Sequence, residues 1–401
     1  MERVQAAVVG AGQAGLAVSY ELTGLGVEHV VLERGRVGQT WRDRWDSFCL
    51  VTPNWTVQLP GGSYDGDDPD GFMPRDEIVA FLERYAVGFG APVEEGVEVE
   101  TVDRHDGGLV LRTSTGDLAA DAVVVATGTY RRPHLPAEAA TLPKGLPLLT
   151  VEDYRAPEAL PEGSVLVVGS GQSGCQLAEE LHEAGREVVL SCGRAPWSPR
   201  RVGDRDFVWW LLETGFLDAP VESLPGLEAR LLANVLATGR DGGRDLHLRV
   251  LRRRGVTLAG RLAGAAGGRA RFAPDLAASV AWGDERYRQL TDLYRRLARE
   301  RGLELELSDP EPFDGAAPQE VDLRGFGAAI FTTGFRPDYA SWLPWPDAFD
   351  AMGFPLHEDG ASTVVPGLHF LGTHFLRKRK SSLLIGVGED AGIVARGLAA
   401  A

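Results

Sequence analysis

Two short glycine-spaced segments constrain this chain more than anything else in it. Gly10-Ala11-Gly12-Gln13-Ala14-Gly15 stands within AAVVGAGQAGLAVSYEL, and Gly169-Ser170-Gly171-Gln172-Ser173-Gly174 within VLVVGSGQSGCQLAEEL. Each follows an apolar run that reads as a buried parallel strand, and each opens a run with helical periodicity. The spacing has a mechanical logic. The first glycine permits a tight turn, the second lets phosphate approach the backbone, and the third lets helix pack close to strand. The helix N-terminus then offers unpaired N–H groups and the positive end of its dipole. A chain that builds this cradle twice is expected to hold two dinucleotides, and a flavin and a nicotinamide exchanging a hydride are the usual pair.

The flanks assign the two cradles. Residues 29–32 read as a second strand ending in Glu33, which lies 23 residues after Gly10. An acid there accepts hydrogen bonds from ribose hydroxyls and repels a 2′-phosphate, so the first cradle suits FAD. The second cradle has no such acid. Its following strand ends Leu190-Ser191-Cys192-Gly193-Arg194, with Arg200 and Arg201 beyond. Guanidinium groups pair well with phosphate, so NADPH is favoured there and NADH is the alternative.

A length of 401 residues suits two domains better than one core. The expected fold class is α/β, with two Rossmann-like dinucleotide-binding domains of the three-layer ββα type. The FAD domain is expected at 1–155 and 325–401, and the NADPH domain, inserted between, at 156–324. Residues 204–302 are the least legible stretch and read as a variable helical or substrate-covering segment. A helix is expected near 284–301 and another over 381–398.

Composition narrows the partners. The net charge of −16 argues against nucleic acid and against anionic membrane surfaces. No apolar run reaches the roughly 20 residues that span a bilayer. The N-terminus runs almost directly into the first strand and leaves no room for a signal peptide, so a cytoplasmic protein is expected. Cys49, Cys175 and Cys192 form no Cys-x-x-Cys pair, which speaks against a redox-active disulfide or a zinc ribbon. His105, His134, His182 and His247 lack metal-ligand spacing, so no metal is expected. A homodimer is compatible with the sequence.

Further segments complete a pattern: GQTWRDRWDSFCLVTPNW, PGGSYDGDDPDGFMPRDEI, VVVATG, FTTGFRPD and GLHFLGTHFLRKRKSSLLIGVGEDA. With the two cradles they cover nearly the whole chain. The pattern resembles the flavin-containing monooxygenases, the class B flavoprotein monooxygenases. It is most similar to bacterial members labelled flavoproteins of potassium transport. The resemblance implies an NADPH-using enzyme that oxygenates a small nitrogen- or sulfur-containing nucleophile with molecular oxygen, through a C4a-(hydro)peroxyflavin. The alternative is a flavin-dependent NAD(P)H oxidoreductase or oxidase that inserts no oxygen.

It also implies site residues. Arg34, Thr40 and Trp41 belong with the FAD-covering segment, Thr52 with the isoalloxazine edge, and Val99 with a backbone contact to adenine. Thr127-Gly128 and Thr333-Gly334 match two turns that pack by the cofactors, and Gly372 matches the C-terminal wall of the flavin site. Gln172 and Ser173 fall at the second helix N-terminus. Asn54 is the expected partner of the oxygen adduct. One departure stands out. The family's linker motif, Phe-x-Gly-x-x-x-His, falls on 143–150, where Leu149 or Thr150 occupies the histidine place. Phe207, Trp209 and Trp210 form an aromatic cluster, and residues 374–380 form a basic run beside the expected flavin edge.

Overall fold

The structure, a computed structural model, describes residues 2–105 and 107–400. Two parallel sheets organise it. The first has its parallel core in the order Val93–Glu95, His29–Glu33, Glu2–Val9, Gly116–Val125 and Leu368–Phe370. Ala6, Ala7 and Val8 are buried to 1% exposure or less, which is why this strand reads as an unbroken apolar run. Val99–His105 and Gly108–Thr113 extend Gly116–Val125 as an antiparallel meander. The first fingerprint opens helix Gln13–Leu25. That helix ends at Gly26, whose left-handed backbone lets its N–H reach the Leu22 and Thr23 carbonyls. The C-terminal helix Val387–Ala399 packs against it.

The second sheet is parallel throughout, in the order Leu148–Thr150, Phe326–Phe331, Ser164–Val168, Val188–Ser191 and Thr257–Ala259. This moves both expected domain boundaries. Phe326–Phe331, placed in the FAD domain by the 325 boundary, belongs to the second sheet, and so does Leu148–Thr150, which lies before the 155 boundary. The reason is burial. Ala328, Ala329 and Ile330 are fully buried and need a strand on each edge, and the short strand hidden in the proline-rich linker supplies one of them.

Residues 204–302 contain helices Phe207–Glu213, Leu248–Arg254 and Leu276–Glu300. The last begins earlier than expected, because Leu276, Val280, Tyr287, Leu290, Tyr294 and Leu297 continue one buried face. The final helix begins later than expected, at Val387, since residues 380–386 close tight turns instead. Among the described residues no helix is long and apolar enough to cross a membrane.

Candidate active site

The three glycines of the first cradle have three separate reasons. Gly10 has φ +105°, and a Cβ there would sit 2.9 Å from the Ala126 carbonyl oxygen. A Cβ on Gly15 would lie 1.8 Å from the Gly10 carbonyl oxygen, so strand and helix touch through backbone. A Cβ on Gly12 would meet nothing within 4 Å. That open space over a helix N-terminus is where a pyrophosphate fits. Glu33 is 8% exposed, and its two oxygens accept hydrogen bonds from the Ala11 and Gly35 N–H groups at 2.8 and 2.9 Å. Each carboxylate oxygen keeps a lone pair for a ribose hydroxyl.

A cavity of about 560 Å³ runs from this turn. Gly10, Gly12, Glu33, Arg34, Thr40, Trp41, Thr52, Val99, Thr127, Gly128 and Gly372 all line it. Trp41 Nε1 donates to Gln13 Oε1 at 2.9 Å, and Gln13 Nε2 donates to the Ser382 carbonyl at 3.2 Å. The covering segment, the helix start and the C-terminal wall are thus tied together. These residues fit an FAD: a phosphate cradle, a ribose acid and an apolar slot in one cavity.

Asn54 lies elsewhere. It is 4% exposed and lines neither this cavity nor the one described below. Its Oδ1 accepts from the Met73 N–H at 2.6 Å, and its Nδ2 donates to the Asp68 carbonyl at 2.9 Å. The carboxamide closes the loop between Asp68 and Met73.

The second cradle repeats the glycine mechanics. Gly169 has φ +108° with the Thr332 carbonyl oxygen 2.7 Å from an added Cβ, and Gly174 would place one 1.9 Å from the Gly169 carbonyl oxygen. Two things differ. Ser170 takes the place of Ala11, and its hydroxyl accepts from the Gly193 N–H at 3.0 Å and donates to the Gly193 carbonyl at 3.1 Å. This pins the end of the strand beside the turn, where the next residue, Arg194, is exposed. Arg200 is not available to a nucleotide. It is 3% exposed, pairs with Asp206 at 2.7 Å and donates to the Val51 carbonyl at 2.7 Å.

The second difference is a cover. Gln172 Oε1 accepts from the Ala237 N–H at 3.0 Å, and its Nε2 donates to the Ala237 carbonyl. The Ala233 methyl lies 3.6 Å from a Cβ added to Gly171. The segment around 233–237 therefore lies across this helix N-terminus, and the Gln172 amide is spent on it. Ser173 is half-buried in the first turn. Thr333 and Gly334 fasten the linker: Thr333 Oγ1 donates to the His134 carbonyl, and the His134 N–H donates to the Gly334 carbonyl at 2.8 Å. In that linker Thr150, at one of the two registers for the motif histidine, bonds to Asp153 through both its N–H (2.7 Å) and its hydroxyl (2.8 Å).

A larger cavity of about 870 Å³ lies beside the first. The two share Val51, Thr52, Val208, Leu217, His374 and Leu383. Phe207 lines the larger one, whereas Trp210 is buried and donates to the Val202 carbonyl at 2.9 Å. His374 is 6% exposed. Burial, helped by the nearby Arg379 and Arg230 charges, pulls its pKa down to about 4, so the ring is neutral at pH 7. The sequence marked this histidine only as the start of a basic run, because nothing local shows that it joins two cavities.

All three cysteines are buried and none is in a disulfide. Burial raises each thiol's pKa above its usual value. Each is therefore favoured as the neutral thiol over the nucleophilic thiolate.

An open FAD cradle, a second cradle of the same build and a substrate-sized cavity define a flavin-dependent oxidoreductase. Comparison with known proteins agrees. The family model for pyridine nucleotide-disulphide oxidoreductases matches residues 7–211. An uncharacterized CzcO-like oxidoreductase of Geobacillus kaustophilus (strain HTA426) is 32% identical over 97% of this chain and 96% of its own length. Flavin-containing monooxygenase 5 of Oryctolagus cuniculus is 30% identical over 50% of this chain and 42% of its own. The solved flavin-containing monooxygenase from Stenotrophomonas maltophilia shares the fold, with a TM-score of 0.71 at 21% identity over 100% of this chain and 99% of that one. The chain belongs to the pyridine nucleotide-disulphide oxidoreductase family and is similar to the flavin-containing monooxygenases, and its cofactors are FAD and NADPH.

Proposed function

We propose that this enzyme is an NADPH-dependent monooxygenase that oxygenates a small organic nucleophile at nitrogen or sulfur. One observation carries the reading: a second, largely apolar cavity lies directly beside the flavin cavity and shares six lining residues with it. A protein that only passed electrons to oxygen would need no such chamber for an organic molecule. NADPH supplies two electrons, one oxygen atom enters the substrate, and the other leaves as water.

A bound flavin supplies the hydride acceptance and the reaction with oxygen. The chain's own residues bind and shield it. Gly10, Gly12 and Gly15 set the pyrophosphate against the helix N-terminus, and Glu33 holds the ribose. Arg34, Thr40, Trp41, Thr52, Val99, Thr127, Gly128 and Gly372 wall the cofactor. Gly169, Gly171 and Gly174 cradle the nicotinamide coenzyme, with Ser173 in the first turn of that helix, and Arg194 meets its 2′-phosphate. Thr333 and Gly334 hold the linker in register. His374, neutral and buried at the junction, offers a hydrogen bond to the reacting atoms without a competing charge, while Val208, Leu217 and Leu383 exclude water there. Asn54 acts at one remove, by holding the 68–73 loop.

The test is a coupling measurement with purified holoenzyme and a panel of thioethers and amines. The proposal expects substrate-stimulated NADPH oxidation, a label from ¹⁸O₂ in the product, and peroxide release that falls as substrate is added. If every electron from NADPH ends in peroxide whatever is added, the protein is an oxidase and the proposal fails.

A further inference from the structure

The basic run Arg377-Lys378-Arg379-Lys380 is not uniform. Arg377 pairs with Asp359 at 2.8 Å and Asp390 at 3.0 Å. Lys378 and Lys380 both reach Asp218 and Glu389, at 2.5 to 3.1 Å. Arg379 has no carboxylate partner among the described residues, and its buried Nε has no hydrogen-bond partner at all. It is also the only one of the four that lines the larger cavity.

Its surroundings are apolar. The guanidinium carbon sits 4.2 Å from the Phe216 ring centre and 4.8 Å from that of Phe375. Burial alone, with no carboxylate to oppose it, lowers the Arg379 pKa. Aromatic faces offset part of the cost of keeping a cation out of water, but they satisfy none of its N–H donors. The rest of the lining has the same bias. Arg286, Arg296 and Arg299 have no ion pair among the described residues, and the one acid in the wall, Asp292, is taken by Arg295 at 3.0 Å. In a chain of net charge −16 this cavity is a local exception.

We propose that the larger cavity binds an apolar organic anion, its carboxylate paired with Arg379 and its hydrocarbon body against Phe207, Leu211, Leu290 and Leu293. This rests on the reading of that cavity as the substrate chamber. The planar guanidinium presents a fork of N–H donors that matches a carboxylate. Arg379 also lies close enough to His374 to depress its pKa, which puts the anionic end of the ligand near the flavin edge and its tail toward helix Leu276–Glu300.

The test uses (octylthio)acetate and its primary amide, which differ only in charge at one end, titrated into holoenzyme by calorimetry. The acid is expected to bind about ten- to a hundredfold more tightly than the amide, the range of a charge-assisted hydrogen bond. Arg379→Gln is expected to erase that preference, and Arg379→Lys to restore part of it. Both variants should keep their flavin and their NADPH dependence of flavin reduction. Equal binding of acid and amide to the wild-type protein overturns the proposal, and so does a preference that survives Arg379→Gln. If Arg379→Gln weakens NADPH by the same factor as the acid, Arg379 reads a nucleotide phosphate and the proposal is wrong. A binding preference without sulfoxide formation removes the oxygenase reading and leaves the anion site standing.

Discussion

The two cradles were built from one pattern and differ where it matters. In the first, the space above Gly12 is empty, and an acid braces the turn by accepting the Ala11 N–H. In the second, Ala233 approaches Gly171, no acid stands at the strand end and a serine hydroxyl accepts the Gly193 N–H, and Gln172 is bonded to the chain's own Ala237. An open cradle suits a cofactor that stays. A cradle with a cover held by two hydrogen bonds suits a coenzyme that comes and goes, since each binding event must displace only a short segment. The same segment walls the larger cavity through Ala233, Asn234, Val235 and Ala237, so one stretch of chain borders both the second cradle and that cavity.

The largest effect expected from breaking this comparison comes from the third glycines. Gly15→Ala and Gly174→Ala create near-identical backbone overlaps, each costing about 3 kcal/mol or more. If the division of labour is right, Gly15→Ala gives a protein without bound flavin. Gly174→Ala gives a yellow protein that NADPH reduces poorly. Flavin content and anaerobic reduction rates check this, and matching phenotypes for the two variants would contradict it.

Acid should separate the two regions next. His374 borders the first cradle's cavity, and His247 lies in the second domain with its pKa also lowered to about 4, chiefly by burial. Each folded-state value lies below the ordinary 6.5 of an unfolded histidine, so the unfolded chain takes up the proton first. The stability each contributes is complete above about pH 6.5 and is lost as pH falls toward 4, roughly 2 kcal/mol per histidine at pH 5. His374→Gln should flatten the fall in urea midpoint between about pH 7 and pH 5, and His247→Gln should do the same independently. An unchanged slope would show that burial does not hold these rings neutral.

Coenzyme choice gives a smaller effect. Arg194→Ala should raise the KM for NADPH about tenfold, the worth of one exposed phosphate contact, and leave NADH unchanged. Gln172→Ala should do least. It removes the two bonds that hold the cover, worth about 1 kcal/mol each, and so should lower the KM for NADPH severalfold. A rise instead would mean that Gln172 holds the nucleotide and not the cover.

Much of this was legible before the structure. Both glycine turns and the acid at Glu33 follow from local spacing, and the structure places them at the expected positions. What stayed hidden is non-local. Phe326–Phe331 precedes a turn like that at Thr127-Gly128, so sequence logic gave it to the same domain. Only the pairing with Ser164–Val168 and Leu148–Thr150 shows otherwise. The family resemblance gave Asn54 a role at the flavin, and nothing local showed that its amide also bonds backbone groups 14 and 19 residues away. The basic run was visible, but which cation is free depends on Asp218, Asp359, Glu389 and Asp390, none of them its neighbours in sequence.

The second glycines give the cleanest test of the central claim, that the first cradle holds FAD and the second receives NADPH. Gly12 has φ −83° and Gly171 φ −72°, which alanine adopts freely, and neither added Cβ meets protein closer than 3.6 Å. A methyl group at either site therefore obstructs only an incoming phosphate. The measurement is the visible spectrum of Gly12→Ala and Gly171→Ala, recorded before and after anaerobic NADPH. The account predicts that Gly12→Ala is folded but depleted of flavin, while Gly171→Ala is fully yellow and resists bleaching. A fully yellow, normally reducible Gly12→Ala protein, or a colourless Gly171→Ala protein, would contradict it.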